Sequence, residues 1–246
     1  MIEIVNKFHT QRIFATKLEI SDLWKAVYYA GYRGDVNRIP FYYSIIHGHS
    51  AVSDLNMDMD DILGSMKSNT RNEIRRAEKE GVEFEANVPY EQFVPYYNSF
   101  AESKGLDDRV NIERLSKYDK TIITKATHEG ITLAMHATVV NIESGIAFLL
   151  FSCSPRLDAG VDKKMIGWGN RYLHYKDFEY LKSEGIKTYD WSGICIDPQD
   201  SRYSIGQFKL SFGGTLVDSY VLKTPIYAFL EKTRELYWRI LKNRKE

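Results

Sequence analysis

One lysine, set among aromatic residues, is the group in this 246-residue chain whose type and setting point most directly to chemistry. Lys209 follows Phe208, comes three positions before Phe212 and lies close to the glycine pair at 213–214. An ammonium held between aromatic walls suits an anionic ligand or a developing oxyanion better than it suits a hydrophobic core. A surface lysine in an ordinary β-turn is the alternative interpretation of the same pattern.

The residues before this lysine have the pattern of a strand that ends in a binding loop. The strand is predicted over 186–190, and a polar loop follows as far as Tyr203. Asp190, Ser192 and Gly193 stand where the strand gives way to the loop. Loops that follow strands commonly carry binding residues. We expect Ser192 and Gly193 to contact a substrate, and Asp190 and Tyr203 to hydrogen-bond an acceptor or to handle its proton.

A second motif, upstream, is a predicted helix with a basic stripe. Thr70 and Glu73 have the spacing of a capping box, which predicts that the helix begins at Thr70, and Gly81 suits its carboxyl end. Three cations spaced four residues apart share one face of this helix: Arg71, Arg75 and Lys79. The stripe is either a solvated face or a site for the phosphates of a donor or an acceptor.

In their order and spacing, the two motifs resemble those of the FemABX family, and the resemblance extends over about residues 41–221. It implies a GNAT fold and the transfer of an acyl or aminoacyl group to an amine. It also implies that Lys209 acts electrostatically near the reacting carbonyl, with Phe208 and Phe212 as pocket walls. For the helix stripe, it favours phosphate binding by Arg71 and Arg75.

A long helix predicted over 161–183, together with the loop before it, is the expected donor site. A helix amino terminus behind a loop of small residues binds anions. We therefore expect Arg156, Gly160 and Lys163 to bind the pyrophosphate of an acyl-CoA co-substrate, although Arg156 and Gly160 depart from the spacing found in CoA-dependent GNAT enzymes. Tyr172, on one side of the helix, is expected to bind substrate.

Three functions remain open from the sequence. The first is transfer of an acyl group from an acyl-CoA-type donor to an amine of a cell-envelope precursor: an amino sugar, a lipid or a peptidoglycan peptide. The second is aminoacyl transfer from aminoacyl-tRNA, which ranks lower because 33 basic and 33 acidic residues leave no net charge for nucleic acid. The third is a non-catalytic GNAT-fold binding protein. Membrane contact is expected to be peripheral at most.

Other reactive side chains receive no catalytic role. His47 and His49 lack a third ligand of defined spacing, so no metal site is expected. Cys195 is a weak nucleophile candidate because no histidine is paired with it, and His136 is expected to be a hydrogen-bonded core residue. No histidine or glutamate stands out as a general base, which leaves deprotonation by the substrate or through water.

The order of predicted elements indicates an α/β (α+β) fold with a GNAT-like, mixed and largely antiparallel sheet flanked by helices. The central meander is formed by three predicted strands, over 120–127, 131–141 and 147–153. Upstream we predict a helix over 21–29 and strands over 41–46 and 51–55. A single domain over 1–246 is expected, with an extension over 1–40 and a core over 41–246.

Composition sets broad limits on the class of protein. A hydrophobic content of 43% is enough for a sizeable core. No apolar run reaches membrane length, and the first residues lack the apolar stretch of a signal peptide. Two cysteines without a Cys-x-x-Cys pair fit a reducing compartment. We therefore expect a cytoplasmic protein.

Overall fold

The structure is a computed structural model that describes residues 1–155 and 162–243. The strands are β1 (Ile2–Val5), β2 (Thr10–Ile13), β3 (Val27–Tyr32), β4 (Ser44–Asp54), β5 (Glu83–Ala86), β6 (Thr121–His128), β7 (Ile131–Asn141), β8 (Ile146–Cys153), β9 (Thr188–Ile194) and β10 (Thr215–Lys223). The helices are α1 (Met59–Ser65), α2 (Ser68–Lys79), α3 (Tyr90–Ser103), α4 (Ile112–Leu115), α5 (Lys163–Ser183), α6 (Tyr203–Leu210) and α7 (Pro225–Asn243).

The chain divides into two compact units. The larger unit is Ser50–Val217, and the smaller unit combines Met1–His49 with Asp218–Glu246. Each boundary between the units falls inside a long strand, in β4 and in β10. A single domain over 1–246 stays a prediction.

The larger unit is built on a mixed sheet with antiparallel pairs at its centre. Strands β5, β6, β7 and β8 pair antiparallel in succession, and β8 then pairs parallel with β9. Helix α5 packs on β6 and β7, and α2 packs on α5. Apolar side chains of the sheet and these helices, among them Leu133, Leu173 and Trp191, form the largest core cluster. The predicted fold class and the predicted central meander are confirmed.

The smaller unit contains the pairings of β1, β2, β3 and β10 and has its own core cluster. Strands β1 and β2 are antiparallel, β2 and β3 are parallel, and β3 pairs antiparallel with β10. Its core contains Val27, Tyr29 and Leu222. The buried Asp22 accepts hydrogen bonds from the Tyr29 hydroxyl at 2.5 Å and from the Arg12 guanidinium at 3.1 Å. Both oxygens of this buried carboxylate therefore have a hydrogen-bond donor.

Three local predictions are wrong, each because longer-range packing prevails over a short sequence pattern. The helix predicted over 21–29 is a short 3-10 helix, Ile20–Trp24, followed by β3, in which alternate residues face the core. The two strands predicted over 41–46 and 51–55 are one strand, β4, that continues through Gly48. Helix α2 begins at Ser68, because the Thr70 hydroxyl donates to Ser211 Oγ at 2.9 Å and does not cap the helix.

Candidate active site

The parallel pair β8 and β9 opens towards its carboxyl end. Paired residues run only from Ile146 and Thr188 to Phe148 and Asp190, although β8 continues to Cys153 and β9 to Ile194. Beyond the last pair, the Ser192 hydroxyl donates to the Leu149 carbonyl at 2.6 Å. An opening of this kind leaves backbone groups accessible at the end of a sheet, where ligands bind in many α/β proteins.

A cavity of about 510 Å³ lies at this opening. Its size is in the range of small-molecule sites. Its lining comes from β8, β9, α3, α5 and α6 and from the residues that directly follow β8 and α3. The lining residues are Phe100, Lys104, Leu149, Ser152, Cys153, Ser154, Asn170, Arg171, His174, Trp191, Ser204, Ile205, Phe208 and Lys209. The structure thus combines polar groups from several elements with an aromatic wall in one cavity.

Lys209 lies in the last turn of α6, a helix that the sequence analysis did not predict. The helix forms because a turn at Asp200 and Arg202 starts it, and because Gly206 lets it approach β9: a Cβ added there would lie 2.5 Å from the Cys195 carbonyl oxygen. The close approach carries Lys209 into the β8–β9 opening. A local helix therefore positions the cation that the motif had singled out.

Beyond the last residue pair of β8 and β9, the Lys209 ammonium bonds β9 carbonyls that a neighbouring strand would otherwise bond. Its Nζ donates to the carbonyl oxygens of Trp191 at 2.7 Å and Gly193 at 3.0 Å. Burial lowers the pKa of Lys209 to about 8, and the charge of Asp190 opposes this shift. An ammonium has three donors. Two of them are used by β9, and within 1–155 and 162–243 no residue accepts the third, which can therefore polarise an oxygen in the cavity.

The side chain of Asp190 stabilises the backbone of β9 through hydrogen bonds. Its Oδ1 accepts from the Ser50 hydroxyl at 2.6 Å and from the Ser192 amide at 2.7 Å. Ser192 has a φ of 61°, a conformation that costs energy for a residue with a side chain. The bond to Asp190 holds this residue in place and thereby aims the Gly193 carbonyl at Lys209. Asp190 therefore stabilises the β9 backbone beside the cavity, and its predicted part in acceptor binding stays a prediction.

The aromatic residues form a stack behind the cavity. Phe208 lines it, with the Arg171 guanidinium 5.0 Å from the centre of its ring. Phe212 is buried and contacts Phe208 and Trp191, at ring-centre distances of 5.3 and 4.8 Å. Phe208 thus lines the cavity, whereas Phe212 packs behind it in the core, and the substrate contacts of both residues stay predictions.

Sequence reasoning missed a buried histidine cluster at this cavity, formed by His136, His174 and Asp177. His136 Nδ1 lies 2.6 Å from Asp177 Oδ2, its Nε2 lies 3.0 Å from Asn170 Oδ1, and its ring stacks on His174 at 4.0 Å. His136 is therefore a hydrogen-bonded core residue, as predicted. The spacing of Asn170, His174 and Asp177 along α5 was the signal, since residues four and three apart share one helix face.

His174 connects this cluster to the cavity. Burial lowers its pKa well below the usual range, and the nearby charges of His136, Lys209 and Arg171 act in the same direction. Among the described residues its buried Nδ1 has no hydrogen-bond partner. His174 is thus a neutral imidazole that lines the cavity beside an ammonium.

Several predicted site residues lie away from the cavity lining. Tyr203 begins α6 and is half-buried, while Tyr172 is buried in the core of the larger unit. The Arg71 guanidinium donates to the carbonyls of Gly64, at 3.0 Å, and of Met66, so it closes the end of α1. Arg75 is exposed on α2. None of these four side chains is among those that line the cavity.

The predicted pyrophosphate site is described only in part. Arg156 and Gly160 lie outside the described residues. Lys163 is the first residue of α5 and is exposed. The side chain of Asp162 accepts from the Lys164 amide at 2.9 Å, which caps the amino terminus of this helix. Binding of acyl-CoA by these residues stays a prediction.

Two clusters place imidazole and carboxylate donors close enough to share a metal ion. One is the buried histidine cluster, in which Asp177 already bonds His136. The other, which we call the exposed histidine cluster, contains His47, His49 and Asp218 in the smaller unit. The third ligand that the sequence lacked near His47 and His49 is thus supplied by a distant strand.

Solved structures share this arrangement of strands and helices. The chain is similar to FemX, with a TM-score of 0.67 at 12% identity over 94% of this chain and 85% of FemX. It is also similar to the C-terminal domain (DUF2156) of a candidate lysylphosphatidylglycerol synthetase from Agrobacterium fabrum, with a TM-score of 0.61 at 11% identity over 94% and 84% of the two chains.

L-PGS from Bacillus licheniformis is similar as well, with a TM-score of 0.59 at 14% identity over 100% of this chain and 86% of that chain. Identities this low show a shared fold, and they confirm the FemABX/GNAT-like fold that the ordered motifs predicted. No family model and no curated protein matches the sequence. Within 1–155 and 162–243, no helix is both long and apolar enough to cross a membrane.

Proposed function

We propose that the protein is an N-acyltransferase, which moves an acyl group from an acyl-CoA-type donor to an amine of a cell-envelope precursor. The observation that carries the proposal is the Lys209 ammonium, buried at the β8–β9 opening with two donors on β9 carbonyls. Its third donor can stabilise the negative charge that develops on the carbonyl oxygen during acyl transfer. The FemABX-like fold supports the same class of reaction.

Lys209 stabilises the oxyanion in this proposal. The amine nitrogen attacks the donor carbonyl carbon, the carbonyl π bond breaks, and negative charge collects on its oxygen. Lys209 donates to that oxygen from a partly desolvated site, where the interaction is stronger than in water. Phe208 provides an apolar wall against which donor and acceptor are oriented. When the tetrahedral intermediate collapses, the bond to the leaving thiol sulfur breaks.

His174 accepts the proton of the attacking amine in this proposal. Its neutral imidazole lines the cavity, and its ring stacks on His136, which Asp177 holds at 2.6 Å. The imidazolium then returns the proton to the leaving thiolate, so atoms and charge balance. Cys153 also lines the cavity, but burial raises the pKa of its thiol, so it is a poor nucleophile.

Aminoacyl transfer is the second candidate, and a specific observation favours it. FemX and a domain of a candidate lysylphosphatidylglycerol synthetase share this fold with TM-scores above 0.6. The second is named for an aminoacylated lipid. Lys209 would stabilise the oxyanion of an aminoacyl ester in the same way. Against a tRNA donor stands the balanced charge of the chain, because tRNA affinity depends on phosphate neutralisation.

The experiment is a transfer screen read by mass spectrometry. Purified protein is incubated with acetyl-CoA and longer acyl-CoA thioesters, or with aminoacyl-tRNA, each with an amino sugar, an amino-lipid vesicle or a lysine-containing peptidoglycan peptide. We expect an amide product from the thioesters that is lost in Lys209→Met and kept in the control Lys187→Met, which changes an exposed lysine of the same unit.

The outcomes separate the candidate functions. Product from aminoacyl-tRNA alone, with salt-sensitive tRNA binding and no binding of coenzyme A at millimolar concentration, would select the second candidate. Calorimetric binding of an acyl-CoA without any transfer, in wild type and in Lys209→Met alike, would support a non-catalytic binding protein and reject the enzyme.

A further inference from the structure

The exposed histidine cluster is a site that acyl transfer does not use. His47 and His49 are two residues apart on β4, so their side chains share one face of the strand. Asp218 lies on β10, which neighbours β4 in the sheet. The three residues all belong to the smaller unit, and His47 and Asp218 are 171 positions apart in the sequence.

The donor atoms of this cluster converge on one point. His47 Nε2 lies 2.9 Å and His49 Nδ1 lies 3.4 Å from the same oxygen, Asp218 Oδ1. One ligand atom from each of the three side chains lies within 4.8 Å of those of the other two. Ligand atoms of a tetrahedral zinc ion are about 3.3–3.6 Å apart when the bonds are about 2.0–2.2 Å. The cluster therefore needs only a small adjustment to enclose an ion of that size.

The surroundings hold the ligands and leave them accessible. The His47 ring stacks on Tyr220 at 4.9 Å with an angle of 20° between the planes, which fixes its orientation. The side chains of His47 and Asp218 are 51% and 60% exposed, so an ion reaches the cluster without any opening of the core.

We infer that His47, His49 and Asp218 form a binding site for a zinc-like divalent cation, with three protein ligands and the fourth position open to water or an external ligand. Neutral imidazole nitrogens with one carboxylate oxygen favour zinc, cobalt and nickel over calcium or magnesium, which prefer oxygen ligands. A bound ion would cross-link β4 to β10. It would thereby stabilise the smaller unit, since metal binding to the folded state adds to folding free energy.

The test is a titration of the full-length protein, first freed of metal with a chelator, with Co²⁺ followed by its visible d–d absorption and with Zn²⁺ as competitor. We expect one equivalent to bind and to raise the unfolding temperature. His49→Ala is expected to weaken Co²⁺ binding by about a hundredfold or more, since loss of a supporting group alone costs 10- to 100-fold. Asp218→Asn, which keeps a hydrogen-bonding oxygen, is expected to weaken it by at least about tenfold.

Two histidine variants in the larger unit serve as controls. His128→Gln changes a half-buried histidine at the end of β6, and His174→Gln changes the buried histidine cluster. Unchanged Co²⁺ affinity in both His49→Ala and Asp218→Asn would overturn the inference. Loss of binding in His174→Gln alone would overturn it as well, and would assign the ion to the buried cluster. Should His49→Ala fail to fold, Asp218→Asn decides the question.

Discussion

Two clusters in this protein contain the same three groups, two imidazoles and one carboxylate, in opposite surroundings. The buried histidine cluster lies under the candidate active site, and its histidines are 1% exposed or less. The exposed histidine cluster lies on β4 and β10 of the smaller unit, with its carboxylate side chain 60% exposed. The chemistry of each cluster is thus set by burial and neighbours and not by residue type.

In the buried cluster, desolvation and the charge of the Lys209 ammonium lower the pKa of His174 and keep its ring neutral, so that it can accept a proton only as a weak base. In the exposed cluster, water reaches the same types of donor, and two imidazoles converge on one carboxylate oxygen, which suits a cation. The comparison teaches that burial and neighbouring charges, and not residue type, separate the two clusters, for which we propose proton transfer in one and metal binding in the other. The difference between the two clusters can be tested by matched substitutions in each of them.

The largest expected effect is on stability. Asp177→Ala removes the charged partner of the buried His136 Nδ1 and is expected to lower the free energy of unfolding by about 3 kcal/mol. Asp218→Ala, made in metal-free protein, removes an exposed partner and is expected to cost less than about 1 kcal/mol. Urea unfolding of the two variants measures both values. Equal losses would mean that burial does not distinguish the clusters.

The next effect is on the rate of transfer. His174→Asn removes the proposed proton acceptor, and a fall in turnover of about a hundredfold is expected, at the lower end of general-base contributions. His128→Gln, tested with the same donor and amine, is expected to retain wild-type turnover. Full activity in His174→Asn would remove His174 from the mechanism and leave deprotonation to the substrate or to water.

The smallest effects concern the basic stripe of α2. Arg71→Ala removes bonds to the end of α1 and is expected to cost about 1 kcal/mol of unfolding free energy. Arg75→Ala changes an exposed side chain and is expected to stay within about 0.5 kcal/mol of wild type. Phosphate binding by these arginines stays a prediction, and equal dissociation constants for acetyl-CoA in wild type and both variants would reject it.

The fold was largely predictable, because its elements carry strong local patterns. The segments 131–141 and 147–153 are rich in apolar and β-branched residues, and the predicted bounds match β7 and nearly match β8. The end of α5 at Ser183 matches the helix predicted over 161–183, and Gly185 follows it with a φ of 83°, a conformation that suits glycine after a helix. Patterns that involve few residues failed, as in the helix predicted where β3 lies.

The residues of the candidate site could be predicted from the sequence only where they lie together in one short motif. Lys209 and Phe208 stand in a single segment, and both line the cavity. His174 was missed because its role depends on His136, which lies on β7, 38 positions earlier in the sequence. Asp218 was missed as a partner of His49 for the same reason. Pairings between distant strands leave no local pattern, so the sequence could not reveal them.

The central claim is that Lys209 acts as a cation beside the reacting carbonyl. The most direct test is the pH dependence of kcat/KM between pH 6 and 10, for wild type and Lys209→Met, with the donor and amine found in the transfer screen. The pKa of Lys209 is lowered to about 8, so the active ammonium is present below that value and is lost as the pH rises through it. We predict wild-type activity that falls above about pH 8, and a Lys209→Met variant at least about a hundredfold slower without that fall. Wild-type activity that increases through pH 8, or full activity in Lys209→Met, would contradict the claim.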